Sequence, residues 1–587
     1  LLSFNVFMGL RPTPRSRGPV GWYDYVLSTI LTACFIYLTI NGKIIAMRMW
    51  EPPPTLFHLA LATTIAILAL EAARRIAGWP YVAMLVVLAT YPLIADRMPG
   101  VLFGYPFTFA QVMGDYAYGA NGIMGLPGQI LGELIPAFLL FAAVMVGMGG
   151  GDFFLRLATA LAGRFRGGPA KIAVVASGFF GALSGSAVVN IVGTGAFTIP
   201  AMKRLGYPPH YAGAIEACAS TGGAITPPIL GGLVFLASMI SGIPYADFVV
   251  AIVIPAFLYY FGLLIQVDAY AARTGLKGLP RNELPAFAPI LKDGWMFLVA
   301  LLFLAAGLVY FRWGAISAVY AVGLLLLLLC TNKRTFPTWR RIERAVVNFS
   351  GLLNFVVGIF LSLGLVFVGL FKTGMAGALT AWIVNTAGGN LYLVLLVGVV
   401  FTLIMGMVGL ETLAYVFLAV TMAPAMVKMG GIPETAAHLF IICFAILGGL
   451  TPPVAINAFV AASIAGAPPM KTAFTAVRLG IVLVFVPLFF VLQPALVMQG
   501  TPLQIISSFL IALLGIYLLA SGIEGFLIKV GQLSMLERLL VAAGGFFIAF
   551  PETLTTIIGV SMALAGVAIS LGRRWWARRV SSLVTRH

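Results

Sequence analysis

Runs of apolar residues, broken by short polar or basic stretches, recur along the whole chain, near 22–41, 55–73, 79–95, 131–149, 208–244, 247–271, 290–311, 315–331, 349–371, 434–466, 471–493, 503–520, 536–550 and 553–572. A helix that crosses a bilayer needs about 20 such residues, so this pattern predicts a bundle of membrane helices, with 536–550 the shortest run. Two further stretches, 171–202 and 391–426, are long enough to enter a membrane but carry glycine and polar residues midway: SGFFGALSGSAVVNIVGTG at 177–195 and LIMGMVGLETLAY at 403–415. Each predicts a helical hairpin that returns to the side it entered from.

The middle of the chain repeats itself. PAMKRLGYPP at 200–209 is answered by PAMVKMGGIP at 424–433, GGAITPPIL at 222–230 by GGLTPPVAI at 448–456, and LASMISGIP at 236–244 by AASIAGAPP at 461–469. Three landmarks in one order at an offset of 224 to 226 residues indicate a duplication. The polar stretch before the first hairpin holds Arg156, Arg164, Arg166 and Lys171, whereas 373–390 before the second carries no charge. By the positive-inside rule the hairpins enter from opposite faces, which predicts repeats of inverted topology.

Composition narrows the class. The 587 residues are 61% apolar and 9% charged, whereas soluble domains carry about a quarter charged residues. The net charge of +17 would point to nucleic acid in a soluble protein, but here the basic residues collect in loops and tails. Arg11/Arg15/Arg17, Arg74/Arg75, the Arg156–Lys171 group, Lys333/Arg334/Arg340/Arg341/Arg344 and Arg573/Arg574/Arg578/Arg579 mark one side. Threading the spans through them leaves both termini cytoplasmic and 96–130 external. Arg11, Arg15 and Arg17 precede a full-length span, so the first helix is expected to remain as an anchor. Cys34, Cys218, Cys330 and Cys443 are scattered and predict neither disulfides nor a transition-metal site.

Candidate chemistry sits at the interruptions. Thr226-Pro227-Pro228 and Thr451-Pro452-Pro453 remove backbone donors inside apolar runs, splitting each into half-helices. The freed carbonyls must face protein or a polar cavity. Unwound carbonyls suit a small cation and half-helix N-termini an anion; a proline kink used only for packing is the alternative. Ser184-Gly185-Ser186 and Asn190 place oxygen ligands at the first hairpin tip, and Glu411 with Thr412 stands at the second. Glu133 and Glu216 are further carboxylates in apolar runs, where a charge is costly and marks a proton carrier or cation ligand.

At these residues the sequence resembles the membrane component of the tripartite ATP-independent periplasmic (TRAP) transporters. The resembling segments are GALSGSAVVNIVGTG (181–195), PAMKRLGY, ASTGGAITPP (219–228) and LGGLTPPVAINAF (447–459). Glu216 to Gly223 resembles the TAXI subtype, in which small and large membrane subunits are fused. The resemblance implies an all-α polytopic membrane protein and an inverted-repeat, elevator-type secondary transporter. Residues 1–130 would be small-subunit-like, 131–496 the transport core (repeats about 131–271 and 349–496), and 500–587 an extra helical module.

It further implies an inner-membrane importer of organic acid anions such as dicarboxylates, driven by Na+ or H+ and fed by a periplasmic TAXI-type binding protein. Ser186, Asn190, Gly222, Ile225 and Pro227 would form one cation site, open to Na+. Gly448, Thr451 and Pro452, with Glu411, Thr412 and Glu216, would serve coupling in the second repeat and at buried carboxylates. Ser184, Thr194, Thr226 and Asn457 would meet substrate. Leu410 and Glu411 stand where the first hairpin has Ser-Gly-Ser, so a symmetrical second sodium site does not follow and proton coupling stays open. ATP drive by this chain is not expected, because it lacks a phosphate-binding loop. Nothing in it suggests a docking element for a partner ATPase, the basic residues in loops and tails argue against nucleic acid, and no cofactor is expected. Its four histidines are far apart, and no hydrolase or metalloprotease motif accompanies them, which argues against an enzyme. A channel or a symporter working without a binding protein are the other classes open to such a chain.

Overall fold

The computed structural model describes residues 6–10, 20–332, 335–550 and 552–584. Arg11, Arg15, Arg17, Lys333, Arg334 and His587 lie outside the described residues, as do the side chains of Arg578 and Arg579. Among the described residues ten helices are long and apolar enough to cross a membrane. That is fewer than the apolar runs, for physical reasons. The runs 55–73 and 79–95 form two helices that meet without a loop at a kink at Gly78 (φ 80°), just before Pro80, so that the continuous stretch Leu56–Thr90 counts once. Helices Ile316–Leu329 and Met535–Ile548 have 14 residues each, or about 21 Å at 1.5 Å per residue. The long runs 208–244 and 434–466 are split by their prolines. The non-helical exception among the described residues is a two-stranded antiparallel ribbon, Phe526–Leu527 with Gly531–Gln532.

The chain forms two compact units, each drawn from separate segments. The first comprises 1–150, 232–246 and 296–434. Its core joins Leu31, Ile65, Ala69 and Tyr116 from the N-terminal region to Leu353, Val357, Leu361 and Leu365 of helix Trp339–Phe367. Arg75 is no free surface charge: it is buried, 2.7 Å from Asp24 and 2.8 Å from Glu71, and donates to the Leu10 carbonyl at 2.9 Å. Glu133 lies on a π-helical turn, Ile130–Leu134, and is exposed. The second hairpin belongs to this unit: Leu391–Met407 turns at Gly409 (φ 83°) into Glu411–Gly430.

The second unit comprises 151–231, 247–295 and 435–587. Here the first hairpin, Gly168–Ser184 and Ala187–Arg204, turns at Gly185 (φ 58°). A left-handed turn residue costs a side chain about 1–2 kcal/mol that glycine avoids, which explains a glycine at both tips. Arg166 in the loop before this hairpin and Lys171 in the first turn of its first arm both pair with Asp268 on helix Val253–Thr274. Residues from 502 onward add helices Pro502–Glu524, Met535–Ile548 and Thr553–Val584 around a small core of Leu518, Leu527, Val541 and Ile548. Thr501 and Gln504 cap the first of these through reciprocal side-chain and backbone contacts.

Candidate functional site

Both diproline motifs break their helices in the same way. Helix Pro209–Thr221 tightens into a 3-10 turn, Gly222–Ile225, and leaves it at Thr226 (φ −91°, ψ 116°). Helix Glu434–Leu447 tightens into Gly448–Leu450 and leaves at Thr451 (φ −93°, ψ 125°). In each the threonine hydroxyl donates to the carbonyl four residues back: Thr226 to Gly222 at 2.8 Å, Thr451 to Leu447 at 2.9 Å. The expected pair of interrupted helices is therefore present, the second turn being one residue shorter than the first. Helical structure resumes at Gly232–Ser241 and at Ile456–Ala465.

Several carbonyls beside the first break accept bonds from protein side chains and backbone. Tyr259 donates to the Cys218 carbonyl at 2.8 Å and Tyr260 to that of Ala219 at 3.0 Å. The Gly231 amide donates to the Ala224 carbonyl at 2.7 Å. Gly223 lies so close to the hairpin that a Cβ added to it would stand 2.8 Å from Gly181 Cα and 3.0 Å from Asn190 Nδ2. The second glycine of the Gly-Gly pair thus serves backbone-to-backbone packing.

A buried carboxylate lies beside this contact. Glu216 is fully buried, and four hydroxyls from three helices surround it. Ser177 donates to its Oε1 at 2.9 Å, Thr194 at 2.5 Å and Ser220 at 3.1 Å, while Thr198 donates to Oε2. Thr194 Oγ1 also stands 2.8 Å from the Asn190 carbonyl. A hydroxyl has one proton and two lone pairs, so Thr194 can donate to an ionised Glu216, or accept from a protonated one and donate to Asn190. The cluster accommodates either state by hydroxyl rotation alone.

The sequence-predicted residues fall as follows. Asn190 is fully buried, its amide nitrogen donating to the Ser177 carbonyl at 2.8 Å and its oxygen 3.2 Å from Thr194, so it clamps the hairpin arms together. Ser184 and Ser186 flank the tip with only a 3.5 Å contact between them. Gly222 and Ile225 are buried, Thr226 and Pro227 half-buried. Asn457 of the second repeat reaches the first, donating to Thr221 Oγ1 at 3.1 Å, one residue from Gly222. Thr451 is buried at its own break, next to Gly448 and half-buried Pro452. Glu411 and Thr412 are half-buried in the first unit, at the start of helix Glu411–Gly430, where the helix dipole favours a carboxylate. Ser177, Thr198 and Ser220 were not predicted; their signal is a hydroxyl on the inner face of each helix that meets Glu216. No group of three or more His, Cys, Asp or Glu side chains among the described residues could hold a metal ion.

A multi-pass helical membrane protein with duplicated, interrupted helices around buried polar residues is the class this geometry defines. Residues 64–505, more than half of the chain, match the family model for the tripartite ATP-independent periplasmic transporter, DctM component. The chain belongs to that family of large permeases: it is an inner-membrane transporter component and not an enzyme, and such permeases work with a periplasmic binding protein. Among its relatives, the C4-dicarboxylate TRAP transporter large permease protein DctM of Pseudomonas aeruginosa is 27% identical over 340 residues, covering 57% of this chain and 77% of that protein. The sialic acid TRAP transporter large permease protein SiaM of Vibrio cholerae is 23% identical over 412 residues, 67% of this chain and 93% of that protein. The isethionate TRAP transporter permease protein DctMQ of Oleidesulfovibrio alaskensis is 26% identical over 333 residues, 56% of this chain and 52% of that protein.

Proposed function

We propose that this chain is a TAXI-type permease with the small-subunit helices fused to the large subunit, importing an organic acid anion by Na+ or H+ symport through an elevator movement. A periplasmic TAXI-type binding protein would deliver the substrate. The observation that carries the reading is the matched pair of broken helices, Gly222–Pro228 and Gly448–Pro453, with identical threonine back-bonds. The three relatives named above are described as carriers of C4-dicarboxylates, sialic acid and isethionate; all three are small organic acids. In this reading Ser186, Asn190, Gly222, Ile225 and Pro227 form a cation site, with Gly448, Thr451 and Pro452 its counterpart. Ser184, Thr194, Thr226 and Asn457 face the substrate. Glu216, with its four hydroxyls, or Glu411 with Thr412 carries the coupling proton if the ion is H+.

Uptake of labelled C4-dicarboxylate into proteoliposomes holding the purified chain tests the proposal, with and without its binding protein. Accumulation should need the binding protein and one imposed ion gradient. Uphill uptake with both gradients dissipated, or uptake indifferent to the binding protein, would overturn it. Replacing Glu216 by Gln separates the ions: pH-driven uptake disappears if this carboxyl carries the proton, and sodium-driven uptake persists.

A further inference from the structure

A cleft of about 650 Å³ in the second unit is lined by Arg273, Lys471 and Arg478, with His210 and the rings of Tyr270 and Phe474. They come from three elements: the first turn of Pro209–Thr221, the last turn of Val253–Thr274, and Pro469–Leu479. On the last of these, Lys471, Phe474 and Arg478 follow the three- and four-residue spacing that puts side chains on one helix face. The back wall is Tyr211, whose ring stacks on Tyr270 with centroids 3.8 Å apart.

Behind that wall lies one fully buried carboxylate, Glu524, the last residue of helix Pro502–Glu524. Arg478 is 3.1 Å from its Oε1 and Arg273 3.6 Å from its Oε2, and the Tyr211 hydroxyl donates to Oε1 at 3.4 Å. Arg273 also donates to the Glu524 carbonyl at 2.9 Å. Both guanidinium groups are thereby held in place by a residue of the C-terminal segment. Lys471 has no carboxylate partner among the described residues. Three cations therefore share one anion, and a cleft lined by a surplus of one sign draws the opposite charge.

The surroundings identify the anion. The cleft lies at the same end of helix Val253–Thr274 as Asp268, to which Arg166 and Lys171 are paired. Lys203 and Arg204 close the neighbouring helix of the hairpin. Basic clusters at the end of a membrane helix attract anionic headgroups. Beside Lys471 stand two exposed apolar side chains, Met470 at 44% and Phe474 at 63%, a skirt that suits acyl chains and would be wasted on a soluble ion. We propose that this cleft binds the phosphate of an anionic phospholipid headgroup, with Glu524 as the positioning residue that holds its two arginines.

The test measures thermal stabilisation and lipid retention, by native mass spectrometry, of the purified full chain with phosphatidylglycerol, phosphatidylcholine or inorganic phosphate. Phosphatidylglycerol should stabilise the protein and be retained, and the other two should not. Lys471→Ala should weaken phosphatidylglycerol binding roughly fivefold, and Lys471→Arg should restore it. Lys471 is exposed and makes none of the Glu524 contacts, so the fold does not depend on it. Equal binding of both lipids, or an Ala variant that binds like the wild type, overturns the proposal. Protection by inorganic phosphate equal to that by phosphatidylglycerol overturns the lipid assignment in favour of a free-anion site.

Discussion

Glu216 shows what one buried carboxylate demands of its neighbours. Each hydroxyl that donates to it is a hydrogen bond to a group that can be charged, worth about 1.5–3 kcal/mol, and its loss leaves a buried acceptor short of a partner. Ser177→Ala and Thr198→Ala should therefore each lower stability by about that amount, read as the unfolding midpoint in detergent, with Ser220→Ala less costly because its contact is the longest at 3.1 Å. Arg75 offers a harsher case. Removing it strands Asp24 in the first unit's core, and breaking a buried pair costs about 3–5 kcal/mol. Arg75→Ala should fold poorly, and Asp24→Asn combined with Arg75→Met should recover most of the loss, measured by expression level and melting. The carboxylate at 216 was legible in the sequence because a glutamate in an apolar run is conspicuous. Its donors were not: a serine or threonine in a membrane helix looks like ordinary packing, and only three-dimensional register reveals that four of them converge. The amide nitrogen of Asn190 bonds the Ser177 carbonyl on the opposite arm, a contact that spacing alone does not reveal.

Among the elements, the broken helices were the most readable, since Pro-Pro leaves a helix nowhere to go and the motif occurs twice. The hairpins were equally plain, as glycine and polar residues interrupt long apolar runs at both tips. What the pattern does not give is helix length. Apolarity is alike in a 22-residue helix and in the 14-residue Ile316–Leu329 and Met535–Ile548, whereas the two runs on either side of Gly78 do form two helices joined at a kink. Gly223→Ala is the sharpest test at this scale. Its new methyl would press to within 2.8 Å of Gly181 Cα, backbone that has no rotamer to yield, so the first break should shift against the hairpin. Transport should fall steeply while helix content by circular dichroism stays at the wild-type level.

For the whole molecule, the sequence order is a poor guide to how the chain is gathered. Both compact units are assembled from three separated segments, and each hairpin belongs to a different one. The duplicated diproline motif nevertheless gives two breaks of similar backbone geometry, at Thr226 and at Thr451. The C-terminal helices, for which the sequence offered no role, meet the rest of the second unit through aromatic packing, such as Phe257 on Phe509 and Phe489 on Phe546, and through the ion pairs of buried Glu524. Deleting 525–587 would leave that residue in place, whereas Glu524→Ala would release Arg273 and Arg478; the second change should lower the melting temperature even though it alters a single side chain.

The ring of donors around Glu216 comes from Gly168–Ser184, Ala187–Arg204 and Pro209–Thr221 at once. If any of the three slid by even one turn, a carboxyl shut away from water would be stripped of partners. Those three rods are thus welded at that point into one mechanical part. Whatever stroke this protein makes, they must make it together.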